Sequence, residues 1–320
     1  MKLLKKLITK PQIFKRTIGL SLDQFKMYAQ SLTPIWHQAE QKRKLRATRY
    51  RKIGGGRQYN CKTIEEMLAI VFLYYKSYWT QEFIGALFDL DQSNVSRLLK
   101  KMLPLIEKAA DPELAVYLQQ AKVEFAQISP NQRINNWRDF LEKHPDLREV
   151  SIDATEQQCY RSSDYQTQKL YYSGKQKCHS LKTQIAVSVS GRILDVSETV
   201  PGSMHDKKLI DAEETIFKFP QQTVQRLDSG YQGLVKSHPK FYIITPHKKP
   251  HKQELSPLAK ELNKAHSKRR VIVENVLSRI KKFRILSGLY RGDINDYNQV
   301  FRNVAALNNL KLATRMAVAA

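Results

Sequence analysis

Three carboxylates stand at positions where acidic side chains commonly bind ligands. Asp153 lies in a predicted strand, Asp228 ends a later strand, and Glu274 lies in a long predicted helix. Two aspartates and a glutamate can hold two Mg²⁺ ions, which activate an attacking oxygen and stabilise the leaving oxygen of a phosphodiester. Each acid alone has an ordinary explanation, as a strand brace, the start of a turn or an ion-pair partner of Arg270. Together they predict a metal-dependent site.

The surroundings of Glu274 favour the same reading. Glu274 is the only acid between Leu262 and Gly292, a stretch that also carries nine basic residues. At about 100° per residue, Arg270, Glu274 and Lys281 cluster within about 40° of one another on the predicted helix. A helix charged only for solubility would mix its signs. A lone carboxylate among bases instead indicates a metal ligand beside a polyanion.

The positive charge of the chain is concentrated in two segments. The formal net charge is +24, of which residues 1–57 contribute +13 and residues 236–284 contribute +11. The rest of the chain is therefore neutral overall. Focused basic patches are typical of surfaces that bind polyanions, whereas solubility charge would be spread evenly. The pattern predicts a nucleic-acid partner.

The second half of the chain has the sequence pattern of an α/β domain. Strands are predicted near 150–155, 184–189, 193–196, 223–227 and 241–244, with helices near 203–217 and 257–285. The order β-β-β-α-β-β-α mixes a hairpin with strands that are followed by helices. It predicts an α/β layer with helices packed on the sheet.

Two short helices in the first half resemble a helix-turn-helix. Thr63 and Thr80 are suitable N-caps, Gly85 suits a close helix approach, and the second helix is predicted to end at Pro104. The residues expected to face DNA are Ser93, Asn94, Ser96, Arg97, Lys100 and Lys101. An ordinary helical hairpin remains the alternative, because helix-turn-helix spacing is degenerate.

Five segments are expected from these patterns. They are a basic arm (1–57) ending in Gly54-Gly55-Gly56, a helix-turn-helix domain (58–110), a helical connector (111–148), a catalytic domain (149–290) and a C-terminal helix (291–320). No apolar run approaches the ~20 residues of a membrane span, and lysines interrupt the N-terminus too often for a signal peptide. The expected location is cytoplasmic and nucleoid-associated, without a membrane partner.

Several ordered motifs resemble the DDE transposases of bacterial insertion sequences, which combine a helix-turn-helix with a catalytic domain of RNase H-like (retroviral integrase-like) type. The matching pieces are Ile152-Asp153-Ala154-Thr155-Glu156, Tyr172-Ser173-Gly174-Lys175 with His179 and Leu181-Lys182, Pro201-Gly202-Ser203-Met204-His205-Asp206, Leu227-Asp228-Ser229-Gly230-Tyr231-Gln232-Gly233, and Arg270-x3-Glu274-x6-Lys281. They extend over about residues 60–310.

This resemblance implies that Asp153, Asp228 and Glu274 are the catalytic, metal-binding triad, holding two Mg²⁺ ions with Mn²⁺ as a substitute. It implies that Arg270 and Lys281 contact the DNA end. The expected partner is double-stranded DNA, both terminal inverted repeats and target, bound by a homodimer without a nucleotide cofactor. His205 and Asp206 are expected to support the site or to cap a helix.

The resemblance has one visible departure, and other classes of protein remain open. Ser267 stands where the family's pattern often has an aromatic residue; Tyr231 and Trp79 are alternative stacking residues, although each suits a core as well. Another RNase H-like nuclease, such as a junction resolvase, is one alternative. A DNA-binding regulator and an inactive copy of a transposase are the others.

Overall fold

The computed structural model describes residues 2–45, 61, 63–110, 114–127, 133–249 and 254–319. The chain divides into two compact units. The first comprises Met1–Pro112, Lys281–Ser287 and Gln299–Ala320, and the second comprises Glu113–Ile280 and Gly288–Asn298. The triple glycine at 54–56, expected to end the basic arm, lies outside the described residues.

The first unit is helical in its described parts. Its helices are α1 (Lys2–Ile8), α2 (Pro11–Ile18), α3 (Leu22–Lys44), α4 (Ile64–Ser77), α5 (Gln81–Phe88) and α6 (Gln92–Ala110). The core contains edge-on contacts of Phe25 with Phe14 and with Phe72, and Tyr28 packs against Phe72. The segment expected as a basic arm thus contributes helices with a buried apolar side.

The predicted helix-turn-helix corresponds to α5 and α6. Thr63 and Thr80 are N-caps, because each hydroxyl accepts a hydrogen bond from a backbone amide three residues later. Gly85 lies so close to the turn that a Cβ there would collide with the carbonyl oxygen of Leu90. Val95 is fully buried. The capping residues and the close approach at Gly85 were therefore predicted correctly.

The prediction that the second helix ends at Pro104 was wrong. α6 continues through Pro104 to Ala110. Met102 and Ile106 are fully buried on either side of the proline, and the Tyr28 hydroxyl donates a hydrogen bond to the Ile106 carbonyl (2.6 Å). Packing of the apolar face outweighs the missing amide of one proline.

The second unit contains a mixed sheet. Its elements are α7 (Leu114–Gln127), α8 (Arg133–Lys143), β1 (Glu149–Gln158), α9 (Tyr165–Tyr171), β2 (Tyr172–Ser173), β3 (Cys178–Ser188), β4 (Ile193–Val196), β5 (Val200–Pro201), α10 (Asp206–Ala212), β6 (Val224–Arg226), α11 (Leu234–Ser237), β7 (Ile243–Ile244) and α12 (Pro257–Ile280). The strand order is β2-β3-β1-β6-β7, and β4 and β5 also pair with β3. β1 is antiparallel to β3 and parallel to β6.

Helices cover both faces of this sheet. Ile152 of β1 belongs to a buried cluster with Ala186, Ile210 and Leu227 on one face. Side chains alternate along a strand, so Asp153 points to the opposite face. There α12 packs on β1 and β3, with Val273 fully buried. The expected mixed α/β architecture is confirmed.

Two helix boundaries differ from the sequence-based expectation. The long helix α12 ends at Ile280 instead of near 285, and a 3-10 turn, Arg284–Leu286, follows. The helix expected over 203–217 is shorter, because α10 covers Asp206–Ala212 and a 3-10 segment follows at Thr215–Lys218. The last helix, α13, spans Ile294–Ala319. None of the helices in the described ranges is both long and apolar enough to cross a bilayer.

Candidate active site

Asp153 and Asp228 occupy equivalent positions on neighbouring parallel strands. Ser151 of β1 is paired in register with Arg226 of β6. Asp153 and Asp228 each follow two residues later, where β1 continues and β6 has just ended. The carboxyl ends of parallel strands meet at one edge of a sheet, a common place for ligand binding. The strand register therefore brings together two acids that are 75 residues apart in the chain.

Arg270 connects these two carboxylates. Its Nη2 lies 3.1 Å from Asp153 Oδ2, and its Nη1 lies 3.5 Å from Asp228 Oδ1. The Arg270 side chain is 10% exposed, compared with 21% for Asp153 and 41% for Asp228. A planar guanidinium can serve two acceptors at once. One buried cation thus holds the two acids in the arrangement that the structure describes.

The pKa of the Asp153 carboxyl is raised to about 6, with burial as the largest cause. The charges of Asp228 and Asp206 also raise this pKa, while Arg270 and a hydrogen bond from the Ala154 amide lower it. A buried carboxylate beside other acids needs a cation to remain charged. The site is therefore suited to binding positive charge.

His266 fixes α12 against the end of β6. The His266 side chain is buried, and its Nε2 lies 3.0 Å from the Leu227 carbonyl oxygen, to which it can donate a hydrogen bond. Burial lowers the pKa of this imidazole, which favours its neutral form. Leu227 precedes Asp228, and Arg270 lies one helical turn after His266. This contact sets the position of Arg270 relative to the two aspartates.

A second polar network lies on the other face of β1. The Lys182 ammonium donates to the Met204 carbonyl (2.6 Å) and to Asp206 Oδ1 (2.9 Å), and it lies 3.5 Å from Glu156. Glu156 and Lys182 are direct cross-strand partners. Ser180 donates to Glu156 (2.7 Å). This network holds the start of α10 against the sheet. It also places the Asp206 carboxylate next to Gly230, which lies two residues after Asp228 in the chain.

Glu274 lies apart from the two aspartates. It is an exposed residue of α12, one turn after Arg270, and about 6 Å further along the helix axis at 1.5 Å per residue. In the described part of the chain, no three His, Cys, Asp or Glu side chains gather closely enough to hold a metal ion. The structure thus brings together Asp153, Asp228 and Arg270, with Glu274 on the adjoining turn.

Two family models match segments of this chain. Residues 152–309 match the model of the DDE superfamily endonuclease, and residues 63–112 match the helix-turn-helix of the DDE superfamily endonuclease. The chain belongs to the DDE superfamily of endonucleases. A similar curated relative is a "Probable transposase for insertion sequence element IS702" of Microchaete diplosiphon, 26% identical over 94% of this chain and 95% of the relative. No solved structure matches the chain.

The two matched segments of this DDE endonuclease contain the residues singled out by sequence. The endonuclease match includes Asp153, Asp228, Arg270 and Glu274. The helix-turn-helix match covers α4, α5 and α6 and thus every residue proposed to face DNA there. The roles of individual residues within these matches are taken up as proposals below.

The helix-turn-helix candidates of the DDE endonuclease differ in exposure. Ser93, Arg97 and Lys100 are exposed at the start and middle of α6. Asn94 is half-buried, and its side-chain oxygen accepts a hydrogen bond from Arg97 (3.0 Å). Lys101 is half-buried and lies 4.0 Å from Glu40. The exposed three are therefore the most accessible to a DNA backbone.

The remaining predicted residues occupy varied positions. Lys281 was expected on the long helix, but it follows the end of α12 at Ile280 and belongs to the first compact unit. His205 is exposed at the N-cap position of α10 without a capping hydrogen bond from its side chain, and Asp206 is the first helical residue. Ser267 is exposed on α12.

Sequence reasoning missed two contributors to the site of the endonuclease. His266 was not singled out, although it lies four residues before Arg270 and eight before Glu274, on the same helical side. The pairing of Lys182 with Glu156 and Asp206 was also missed, although these residues lie within the matching motifs.

Tyr231, considered as a stacking residue from the sequence, is fully buried, and its hydroxyl donates a hydrogen bond to Gln184 (3.1 Å). It is therefore a core residue.

Proposed function

We propose that this DDE endonuclease is a DNA transposase. It would bind the terminal inverted repeats of a mobile element, cleave a phosphodiester bond at each end and join the resulting 3′ ends to target DNA. The observation that best supports this is the in-register placement of Asp153 and Asp228 at one sheet edge, with Glu274 on the adjoining helix. The relative described as a probable transposase points to the same reaction class.

The donor set fits divalent cations. Asp153, Asp228 and Glu274 would hold Mg²⁺ or Mn²⁺, because carboxylate oxygens are the ligands that these ions prefer. The buried Asp153 already requires a nearby cation, which Arg270 supplies in this structure. Two bound ions would activate the attacking oxygen and stabilise the leaving oxygen of the phosphodiester.

The chain's own residues would orient the reacting groups. Asp153 and Asp228 are held on a rigid sheet edge, and His266 fixes the helix that carries Arg270 and Glu274. Arg270 could contact a DNA phosphate once its pairing with the aspartates is relieved. Such fixed placement of charged groups is the main contribution of a protein to phosphoryl transfer.

The RNase H-like topology is part of the same proposal. The observed sheet has β1 antiparallel to β3 and parallel to β6, with Asp153 within β1 and Asp228 just after the end of β6. The proposed assembly is a homodimer, because two element ends must be paired for joining. The helix-turn-helix would read the repeats, while Arg97 and Lys100 would contact phosphates.

One observation favours a second candidate, a DNA-binding protein without catalytic activity. Arg270 lies between the two aspartates, and Glu274 lies outside the cluster in the described structure. An internal cation could neutralise the site permanently. Calorimetric titration of the purified chain with Mn²⁺ separates the candidates. A transposase would bind Mn²⁺ with an affinity lowered by Asp153→Asn, whereas a neutralised site would bind none.

The direct test of the proposed function uses the sequences that flank the reading frame. The purified full chain would be incubated with Mg²⁺, a labelled duplex carrying one flanking repeat, and a circular target. Cleavage at the repeat boundary and transfer of the labelled 3′ end into the circle are the expected results. Cleavage without joining would favour another DNA nuclease of the same superfamily, and the absence of both products would contradict the proposal.

A further inference from the structure

Two lysines lie beside the ring of Phe283 in the first compact unit, and four further basic residues lie close enough for their charges to act on these lysines. The Nζ atoms of Lys76 and Lys311 lie 5.2 and 4.8 Å from the ring centroid. The positive charges of four further residues lower the pKa of one or both of these lysines. The six residues, called the basic cluster below, are Lys15, Lys76, Lys282, Arg284, Lys311 and Arg315.

The basic cluster is built by packing around Phe283. The Phe283 side chain is buried, and its ring approaches Gly19 so closely that a Cβ there would lie 2.9 Å from ring carbons. The Lys76 ammonium donates a hydrogen bond to the Lys282 carbonyl (2.7 Å). Lys15 lies in the basic N-terminal segment and Lys282 in the second basic segment. The two charged stretches of the sequence therefore meet here.

This arrangement is electrostatically costly for the protein alone. The pKa of Lys311 is lowered to about 8, mainly by burial and in addition by the charges of Lys76, Arg315, Lys15 and Lys282. Burial, Lys282 and Arg284 likewise lower the pKa of Lys76. Of the ion pairs formed between described residues, none joins a member of the cluster to an acid. Like charges that are held together without an acid destabilise a fold.

An ordinary solvated face does not account for the two central lysines. Long basic side chains usually extend their ammonium groups into water. Lys15, Lys282, Arg284 and Arg315 are exposed in this way, but Lys76 and Lys311 are half-buried beside the aromatic ring. An anion placed over the cluster would contact both kinds of residue. The phosphates of DNA provide such anions at regular spacing.

We propose that the basic cluster binds backbone phosphates of double-stranded DNA, in addition to the contacts made by α6. The site lies in the first unit, and none of its six residues belongs to α6; Lys76 lies in α4, within the matched helix-turn-helix segment. The inference rests on the proposed function only in taking duplex DNA as the ligand. It does not depend on cleavage or on the acids of the sheet.

The salt dependence of DNA affinity tests this proposal. The dissociation constant of the full chain for a duplex of roughly 30 base pairs would be measured by fluorescence anisotropy at about 50 to 300 mM KCl. Lys311→Met keeps the apolar stem beside Phe283 and removes the charge. One lost phosphate contact lowers the salt slope by about 0.9 and the affinity at 0.1 M salt roughly tenfold. Lys311→Met combined with Arg315→Gln should lower the slope by up to about 1.8.

Two matched variants and a second readout separate binding from folding. Lys143→Met removes an exposed lysine that pairs with Glu124 (2.9 Å) and should leave the slope unchanged. Lys311→Arg should retain the wild-type slope. Without DNA, Lys311→Met should raise Tm by roughly 2 °C, because it relieves repulsion. A purely structural role of Lys311 would lower Tm instead.

The outcomes distinguish this inference from the proposed function. A lowered slope in Lys311→Met, unchanged in Lys143→Met, supports the inference. An unchanged slope in both Lys311→Met and the double variant overturns it and leaves the transposase proposal intact. A wild-type chain without affinity for duplex DNA at the lowest salt concentration would overturn both.

Discussion

The guanidinium of Arg270 lies 3.1 Å from the carboxylate of Asp153, and this ion pair joins α12 to the central strand of the sheet. The same guanidinium reaches Asp228 at 3.5 Å. Resemblance assigns Arg270 to a contact with the DNA end, yet in the structure it is buried and faces the acids. Arg270 therefore has two effects: its ion pairs stabilise the second unit, and its positive charge offsets the negative charges of Asp153 and Asp228 in the candidate active site.

Arg270→Gln should destabilise the metal-free protein. Removing one partner of a fully buried ion pair costs about 3 to 5 kcal/mol. Because Asp228 is 41% exposed and solvent screens its charge, we expect a loss nearer about 2 kcal/mol. Chemical denaturation in EDTA measures this loss, with exposed Arg97→Gln as the control. A free energy of unfolding equal to that of wild type would show that the ion pair adds no stability.

Glu274→Gln should abolish DNA cleavage while leaving the fold intact. Glu274 is exposed, so loss of its charge removes little packing. As a proposed metal ligand, however, it would be needed for the reaction. Glu261→Gln, an exposed acid on the same helix, is the matched control. Cleavage rate and Tm are the two measurements. A variant that cleaves at the wild-type rate would remove Glu274 from the triad.

Gly85→Ala should disrupt the helix-turn-helix. The added Cβ would collide with the Leu90 carbonyl oxygen, a backbone atom that cannot rotate away. Overpacking of this kind costs about 1 to 3 kcal/mol, and DNA affinity should fall with it. Gly174→Ala is the control, because a Cβ at exposed Gly174 meets no atom within 4 Å. Equal Tm values for the two variants would disprove the close approach.

The stability of the first unit should rise with pH above about 8. The pKa of Lys311 is lowered to about 8 in the folded state, whereas an unfolded lysine titrates near 10.4. Between these values the unfolded chain binds more protons than the folded chain, so the free energy of unfolding increases with pH. The increase is at most about 1.4 kcal/mol per pH unit.

The measurement for Lys311 is the difference in unfolding free energy between wild type and Lys311→Met from pH 7 to 10. The advantage of the variant should be largest near pH 7 and shrink as the pH rises through the folded-state pKa. Saturating DNA at pH 7 should also reduce it. An advantage that is constant over this range would show that Lys311 has an ordinary pKa.

Local chemistry explains what could be predicted from the sequence. Thr63 and Thr80 were identified as caps because capping depends on a few neighbouring residues. Asp153 was identified as an acid within a predicted strand, and Asp228 because the end of its strand is marked by local pattern and by the turn that follows. The buried pairing of Arg270 was not predicted, since it depends on the distance between α12 and the sheet. Tertiary packing also decided that α6 continues past Pro104.

The basic cluster also could not be predicted from local sequence patterns, because its residues are far apart in the chain. Composition located two basic segments, but it did not indicate that Lys15 and Lys282 would lie near Lys311. The helix predicted near 257–285 would include Phe283, whereas Phe283 follows the end of α12 and packs against Gly19. Contacts among residues so far apart in the chain are not encoded in any local periodicity.

If Asp153 and Asp228 form the core of a DNA-cleaving site, the substitution Asp228→Asn should strongly reduce cleavage. Asparagine keeps the shape of the side chain but removes the charge that a metal ion would require. With a labelled duplex carrying the element end and Mg²⁺, we expect cleavage to fall by about a hundredfold to a thousandfold, as for a single electrostatic contributor, with an unchanged dissociation constant for DNA. An Asp228→Asn protein that cleaves the duplex as fast as wild type would contradict this assignment of the site.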